Sequence, residues 1–437
     1  MKISVIGCGY LGAVHAASMA ELGHEVIGID VDDNRIQSLG QGVAPFHEPG
    51  FDELLQRNSA RLAFTTDMER AKEASVHFIA VGTPQADNGS ADMTYVNSAI
   101  EALATYLSPG DLVVGKSTVP VGTAKRLAGL VSPTGATLMW NPEFLREGFA
   151  VQDTLSPDRL VYGVPEGADG EKATALLDKV YASIIESGTP RLVMNFATAE
   201  LVKVAANSFL ATKISFINAM AEIADVAGAD VTQLADAIGY DTRIGRRFLN
   251  AGIGFGGGCL PKDIRGFVAR ADELGVGHAL AFLKDVDDIN VRRRARVVEM
   301  VKEELGTLEG KTVAVWGIAF KPDSDDIRDS PALDIAEALA RAGAHVNSAD
   351  PEAWKPAAAR IARAGLEDNL KTHSDHLTAA RGADALVVAT EWAVFREENP
   401  VEVAKLVAGK VVIDGRNCLD SEAWKAAGFR YRGMGRS

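Results

Sequence analysis

The sequence predicts an α/β protein: two Rossmann-like, doubly wound parallel-sheet domains joined by a central helical domain that carries a long helix. Three observations predict it. Short apolar runs alternate with helix-length segments near the start of the chain and again after Gly306, the pattern of strands in a sheet covered by helices. Between those regions, apolar Leu201, Val204, Ala205, Phe209, Ile214, Ile217 and Ile223 recur at helical spacing, with no glycine or proline from Thr198 until Gly228. The length, 437 residues, accommodates about three domains at roughly 150 residues each. The expected boundaries are 1–197, 198–305 and 306–437.

Taken in order, Ile3-Ser4-Val5-Ile6 reads as a strand, Gly7 to Gly12 as a glycine turn, the Ala-rich segment to Leu22 as a helix, and Glu25 to Asp30 as a second strand. Val76–Val81, Asp111–Val114 and Ala136–Trp140 read as further strands of a parallel sheet. The middle third reads as all-helical, with helical patterning resuming at Phe282–Leu305. Strand signals return at Lys311–Gly317, Ala344–Asp350, Ala385–Thr390 and Lys410–Gly415. Gly23-His24-Glu25-Val26 to Asp30 resembles Gly343-Ala344-His345-Val346 to Asp350, each a strand ending in an acidic residue.

Gly7, Gly9 and Gly12 form G-x-G-x-x-G after a strand and at the opening of a helix. Asp30 at the end of the next strand is placed to bind a ribose 2′-hydroxyl, which predicts dinucleotide binding. Asp30, Asp32 and Asp33 would repel a 2′-phosphate, so NAD is expected over NADP; Arg35 pulls the other way.

A second site is Phe255-Gly256-Gly257-Gly258-Cys259-Leu260-Pro261-Lys262-Asp263. Pro261 suits a helix start, which puts Cys259 beside a helix N-terminus that favours a thiolate, while the glycines leave backbone open to a ligand. Lys262 adds positive charge, and Asp263, four residues on, is a polar partner if the helix begins that early. Lys203 and Asn207 share a helix face, for which a solvated surface pair is the plain alternative. Asn141-Pro142-Glu143-Phe144-Leu145-Arg146-Glu147-Gly148 follows a strand, where ligands bind in open sheets; a helix start with acidic residues is the competing explanation. Val81-Gly82-Thr83-Pro84 and Lys116-Ser117-Thr118-Val119-Pro120 also follow strands. Phe320-Lys321-Pro322 through Arg328, and Asp414-Gly415-Arg416, place cations where a diphosphate could be held.

Composition limits the partners. With 59 acidic and 45 basic residues the net charge is −14, which argues against nucleic acid or an anionic membrane. No apolar run reaches membrane-spanning length. Three cysteines, Cys8, Cys259 and Cys418, are too few for a disulfide framework or a structural zinc site, so no metal and a reducing cytoplasm are expected.

The ordered set of motifs, together with Arg243-Ile244-Gly245, resembles the UDP-glucose/GDP-mannose dehydrogenase family over the whole chain. The resemblance implies oxidation of a nucleotide-sugar C6 alcohol to a carboxylate with two NAD molecules in succession. By matching position, Cys259 is the nucleophile, Lys203, Asn207 and Asp263 are its polar partners, Glu143 is the base for hydrolysis, and Thr118 positions the catalytic water. Gly7, Gly9, Gly12, Asp30, Arg35, Thr83, Thr118, Glu147, Lys262 and Arg328 match cofactor-contacting positions. Glu143, Phe144, Leu145, Lys203, Asn207, Arg243, Phe255, Gly256, Lys321 and Arg416 match substrate-contacting positions, and Arg243 is expected to reach across a homodimer formed through the central helix. Gly258 stands where the family usually has serine, and Leu260 where many UDP-glucose members have phenylalanine. Tyr240 to Gly245 looks like the UDP-glucose subgroup, so UDP-glucose is the expected substrate. The alternatives are the same chemistry on GDP-mannose or a UDP-N-acetylhexosamine, or a non-catalytic regulator that binds NAD and a nucleotide sugar.

Overall fold

The structure, a computed structural model, describes residues 1–436. The chain forms two compact units, the first made of residues 1–206 and 265–277 and the second of residues 207–264 and 278 onward.

The first unit is built on eight strands: β1 (Lys2–Ile6), β2 (Glu25–Ile29), β3 (Leu62–Thr65), β4 (Val76–Ile79), β5 (Leu112–Gly115), β6 (Thr137–Trp140), β7 (Leu160–Val164) and β8 (Arg191–Asn195). Their order is β3-β2-β1-β4-β5-β6-β7-β8. Both faces are covered, which is why all four residues of β4 and of β5 are buried rather than every second one. Val5, Phe78 and Val114 face one cluster with Ala16, Met19 and Leu177, while Ile6, Ile79 and Val113 face the other with Ile100, Leu127 and Trp140. The expectation of a parallel sheet fails at one joint, where β7 meets β6 antiparallel through Trp140 and Gly163. The connection there is the irregular Asn141–Gly148 segment and the six-residue helix Ala150–Leu155, too short to serve as a crossover helix. Strands β3, β7 and β8 have no counterpart among the strands expected from the sequence.

The middle of the chain is helical as expected. One helix runs unbroken from Phe196 to Ala227, followed by helices Val231–Gly239, Leu260–Glu273 and Phe282–Leu305. The division between the two units falls within the first and third of these.

The second unit carries β9 (Thr312–Trp316), β10 (His345–Ala349), β11 (Leu370–His373), β12 (Ala385–Val388), β13 (Val411–Asp414) and β14 (Arg430–Gly433). All pairs are parallel in the order β11-β10-β9-β12-β13-β14. Its turn after β9 depends on Asp350. This fully buried carboxylate accepts the Ile318 and Ala319 N–H groups at 2.8 and 3.0 Å, those of Glu352 and Ala353 at 3.0 and 2.9 Å, and the Trp392 indole N–H at 3.1 Å. Replacing it leaves those donors buried without an acceptor, so Asp350→Ala is expected to cost ~3 kcal/mol or more in urea unfolding of the whole chain. A loss under about 1 kcal/mol would contradict this role.

Candidate active site

In the first unit the glycine turn is shaped by close backbone approach. A Cβ on Gly12 would lie 1.8 Å from the Gly7 carbonyl oxygen, while Gly9 has nothing within 4 Å of its Cβ position and leaves room for a ligand. Gly9 is also the N-cap of helix Tyr10–Glu21 and offers no side-chain acceptor, so the first N–H groups of that helix remain for an anion. These features fit the diphosphate of a dinucleotide. Asp30, nearly buried, accepts the Cys8 N–H at 2.6 Å and the Asp32 N–H at 3.0 Å, and Arg35 Nη1 donates to both its oxygens at 3.0 Å. Arg35 lies within 3.6 Å of Asp32 as well. Arg35 is thereby held by two carboxylates, and this group of three side chains stays net negative. Burial pushes the Cys8 thiol well above its ordinary range, which marks it as a packed residue rather than a reactive one.

The loops after β4 and β5 are stitched together by hydroxyls. Ser117 Oγ donates to the Val81 carbonyl at 2.6 Å, and Thr83 Oγ1 to the Thr118 carbonyl at 2.9 Å. After β6, residues 141–146 are irregular, so the helix-start explanation of this acidic segment does not hold. Glu143 instead pairs with Lys203 at 2.9 Å, with only 11% and 5% of their side chains exposed. Its other oxygen accepts the Leu145 N–H. Phe144 lies under the Arg159 guanidinium at 3.9 Å and within 5.6 Å of the Lys203 ammonium. Glu147 is near Tyr10, whose hydroxyl donates to Glu48.

Three residues in this unit anchor its loops, a role the sequence did not assign them, although Lys116 opens the Lys116–Pro120 motif named above. Buried Glu48 accepts the N–H groups of Gly148 and Ala150 at 2.7 Å each. Glu200 accepts those of Gly122 and Ala124 at 2.7 and 2.6 Å, and burial raises its carboxyl pKa. Lys116 is buried, with its ammonium 3.0 Å from the Asn141 side-chain oxygen. A buried charge needs a partner, which was the available signal, but the partners lie 25 to 102 residues away.

In the second unit, helix Leu260–Glu273 begins directly after Cys259, whose carbonyl accepts the Asp263 N–H at 2.9 Å. Cys259 therefore sits at the helix N-terminus, and its side chain is exposed. The buried Asp263 carboxylate is held on one oxygen by Asn207 Nδ2 at 2.7 Å and on the other by Lys262 Nζ at 2.6 Å. The glycines leave no room for a side chain. A Cβ on Gly256 would meet the Asp329 carbonyl at 2.2 Å, one on Gly257 the Phe320 ring at 2.8 Å, and one on Gly258 the Arg328 guanidinium at 2.4 Å. Close approach of the 320–331 loop is the reason for them. Phe255 exchanges backbone bonds with the Asn290 side chain at 2.7 and 2.9 Å.

The predicted cations differ in their surroundings. Arg416 donates to the carbonyls of Ala389, Gly254 and Phe320 at 2.8, 3.1 and 2.9 Å, so it staples three loops. Lys321 lies 5.3 Å from the Phe320 ring centre. Arg328 forms a fork with Asp326. Arg243 has 87% of its side chain exposed and pairs with Asp241. The structure thus brings Gly7, Gly9, Gly12 and Asp30 together, groups Thr83 with Thr118 and Glu143 with Lys203, and groups Asn207, Lys262 and Asp263 beside Cys259.

Residues 1–185, 197–292 and 314–421 match, in turn, the NAD binding domain, the central domain and the UDP binding domain of the UDP-glucose/GDP-mannose dehydrogenase family. The chain belongs to that family. It is 40% identical over its whole length to the UDP-glucose 6-dehydrogenase TuaD of Bacillus subtilis, of which the match covers 93%. A UDP-glucose dehydrogenase structure from Pyrobaculum islandicum matches all of the chain and 98% of its own at TM-score 0.89 and 38% identity. A UDP-D-ManNAc dehydrogenase structure from Pyrococcus horikoshii matches all of the chain and 99% of its own at TM-score 0.85 and 29% identity. As a member of this family the chain is an NAD-dependent nucleotide-sugar dehydrogenase, with NAD as its cofactor and a nucleotide sugar as its substrate. Among the described residues no helix is long and apolar enough to cross a membrane.

Burial pushes the Lys116 ammonium down from 10.5 to about 8, with Glu143 pulling it up and Lys203 pushing it further down. Below pH 8 the lysine is charged whether folded or unfolded and the cost of burying it is complete. Between about pH 8 and 10.5 the unfolded chain keeps a proton that the folded chain has released, so stability rises with pH. Relative to Lys116→Met, the wild type is expected to gain ~3 kcal/mol across that window, measured by urea unfolding at each pH. A difference independent of pH would contradict this.

Proposed function

We propose that the chain is a UDP-glucose 6-dehydrogenase that converts UDP-glucose and two NAD+ to UDP-glucuronate through a covalent Cys259 intermediate. The observation that carries the reading is Cys259, exposed at a helix N-terminus beside a carboxylate held by Asn207 and Lys262. The UDP-glucose 6-dehydrogenase relatives support the substrate assignment. NAD+ bound at the Gly7–Gly12 turn supplies the acceptor for a hydride, once in each oxidation.

The residues divide the work as follows. The C6 hydroxyl loses a proton to water and C6 loses a hydride, leaving an aldehyde. The Cys259 thiolate adds to its carbonyl carbon, forming a C–S bond and a thiohemiacetal. Loss of a second hydride and the hydroxyl proton gives a thioester. Water, held by Thr118 and deprotonated by Glu143, attacks the acyl carbon; the C–S bond breaks, the thiolate returns to Cys259, and the acid leaves as its carboxylate. The sum is one sugar alcohol, two NAD+ and one water to one carboxylate, two NADH and three protons. Lys203 and Asn207 donate to the oxygen on C6, which carries negative charge in each addition step. Asp263 holds Asn207 in place. The matched cofactor and substrate positions named from the sequence serve the two ligands, with Lys321 and Arg328 facing phosphate charge.

We read residues 198–305 as a dimerisation domain between the two nucleotide-binding ones. Exposed Phe209, Phe216, Ile223, Tyr240 and Ile244 give this segment an apolar surface suited to a second copy, and Arg243 projects from the same segment. The active-site thiol suits a reducing cytoplasm. The UDP-D-ManNAc dehydrogenase neighbour makes a UDP-N-acetylhexosamine the second reading.

Turnover of UDP-glucose is expected to release two NADH per molecule of acid, counted by absorbance and mass, and a ratio of one would overturn the reading. Faster turnover of a UDP-N-acetylhexosamine or GDP-mannose would transfer it to that sugar. Cys259→Ser is expected to lose at least 100-fold in acid formation, and unchanged acid formation would remove the nucleophile. Arg243→Ala is expected to raise KM for the nucleotide sugar about tenfold with KM for NAD unchanged; equal changes in both would remove its substrate role.

A further inference from the structure

We propose that Lys116 is a positioning residue for Glu143, its buried ammonium fixing the Asn141-Pro142-Glu143 segment through the Asn141 carboxamide so that the carboxylate meets the hydrolytic water. The inference rests on the proposed function for the chemical step that it serves. Its geometric basis lies within the first unit.

Lys116 follows β5 and points into the core, where few lysines are found without a task. Its ammonium lies 3.0 Å from Asn141 Oδ1, 3.5 Å from the Tyr181 hydroxyl, and about 6 Å from the Phe78 and Tyr181 ring centres, at 5.9 and 6.0 Å. The Tyr181 hydroxyl donates to the same Asn141 oxygen at 2.9 Å. Asn141 is also held through its backbone N–H and its carboxamide nitrogen. Its N–H donates to the Gly115 carbonyl at 2.8 Å, and its carboxamide nitrogen donates to the Val161 carbonyl on β7 at 2.9 Å. Asn141 is thus fixed from β5, from β7 and from Tyr181, and the next residue is Pro142, whose ring locks φ. Little torsional freedom remains between the Asn141 backbone and Glu143.

The charged and titratable groups around Lys116 are few. Glu143 attracts it and Lys203 repels it. Tyr181 is buried and held protonated. His15 is buried and held neutral, partly by Lys116 itself, with His24 beyond it. Lys116 therefore faces one carboxylate, Glu143, which Lys203 already binds. A lysine that served only to fill space would be replaceable by methionine at no cost to the reaction. A lysine that holds Asn141 would not, because methionine leaves the carboxamide oxygen with one donor in place of two.

The test uses the full chain with UDP-glucose and NAD in stopped flow, with Lys116→Met and Lys116→Arg beside the wild type. In Lys116→Met, two NADH per site are expected to appear at the wild-type rate, followed by steady turnover at least tenfold slower. Mass spectrometry should then find the acyl group on Cys259. In the wild type the hydrolysis rate is expected to fall as pH rises past about 8, where Lys116 discharges. Arginine, which stays charged, should move that fall upward by at least one pH unit. Unchanged steady turnover in Lys116→Met, or a loss confined to the NADH-forming steps, would overturn the inference. If Lys116→Met does not fold, the wild-type and Lys116→Arg profiles decide, and identical profiles overturn it. Wild-type release of one NADH with no acyl-enzyme would instead overturn the proposed function.

Discussion

Both sheets depend on the same interaction, a buried carboxylate at the C-terminal end of the second strand that accepts N–H groups from the turn after the first. In the first unit Asp30 takes the Cys8 N–H; in the second Asp350 takes those of Ile318 and Ala319. A strand end in a parallel sheet leaves backbone donors with no ladder partner, and water is excluded from them by the helices on both faces. A carboxylate meets that need with charge-assisted bonds. The device recurs along the chain. Glu48 holds the start of helix Ala150–Leu155, Glu200 the start of helix Thr123–Val131, and buried Asp414 the Arg416 and Leu419 N–H groups. Several members of the acidic surplus are thus internal fastenings, so a net charge of −14 coexists with the binding of anionic ligands.

This distribution explains what the sequence disclosed. The strands that line the centre of each sheet were legible because burial on both faces makes them short apolar runs, as in Val76–Ile79 and Ala385–Val388. Helix Phe282–Leu305 was legible to the residue from its periodicity. Strand β8 was not, because it lies at the sheet edge with Leu192 and Val193 exposed and so carries no burial signature. Nor was the reversal at β7, since direction depends on where the connecting segment runs rather than on the strand's own residues. At the candidate site, the placement of Cys259, Pro261 and Asp263 at one helix start was legible because they lie within one helical turn. Lys116, Glu48 and Glu200 were not, because each is defined by a partner far along the chain.

The same logic separates two kinds of cation in the structure. Arg416 satisfies backbone carbonyls of Ala389, Gly254 and Phe320, a task its planar five-donor fork suits and a lysine could not perform. Lys203 and Lys116 instead act as point charges on either side of the segment around Glu143. One is ion-paired with the carboxylate and the other bound to the carboxamide two residues earlier. Burying a charge costs free energy, and that desolvation is the main reason the Lys116 ammonium is depressed, with the like charge of Lys203 adding to it. A carboxylate between them offsets part of that cost, since Glu143 pulls the Lys116 ammonium back up.

Gly258 follows from steric arithmetic. Arg328 is held by the Asp326 fork at 2.7 to 3.0 Å, and its guanidinium carbon occupies a point 2.4 Å from where a Cβ on residue 258 would stand. A serine there requires the guanidinium to swing away and weaken that fork. Glycine removes the conflict and lets a cation lie against the residue preceding Cys259, at the same helix end whose dipole already favours negative charge on sulfur. The guanidinium thus stands against the backbone of residue 258, in the space a side chain there would otherwise fill.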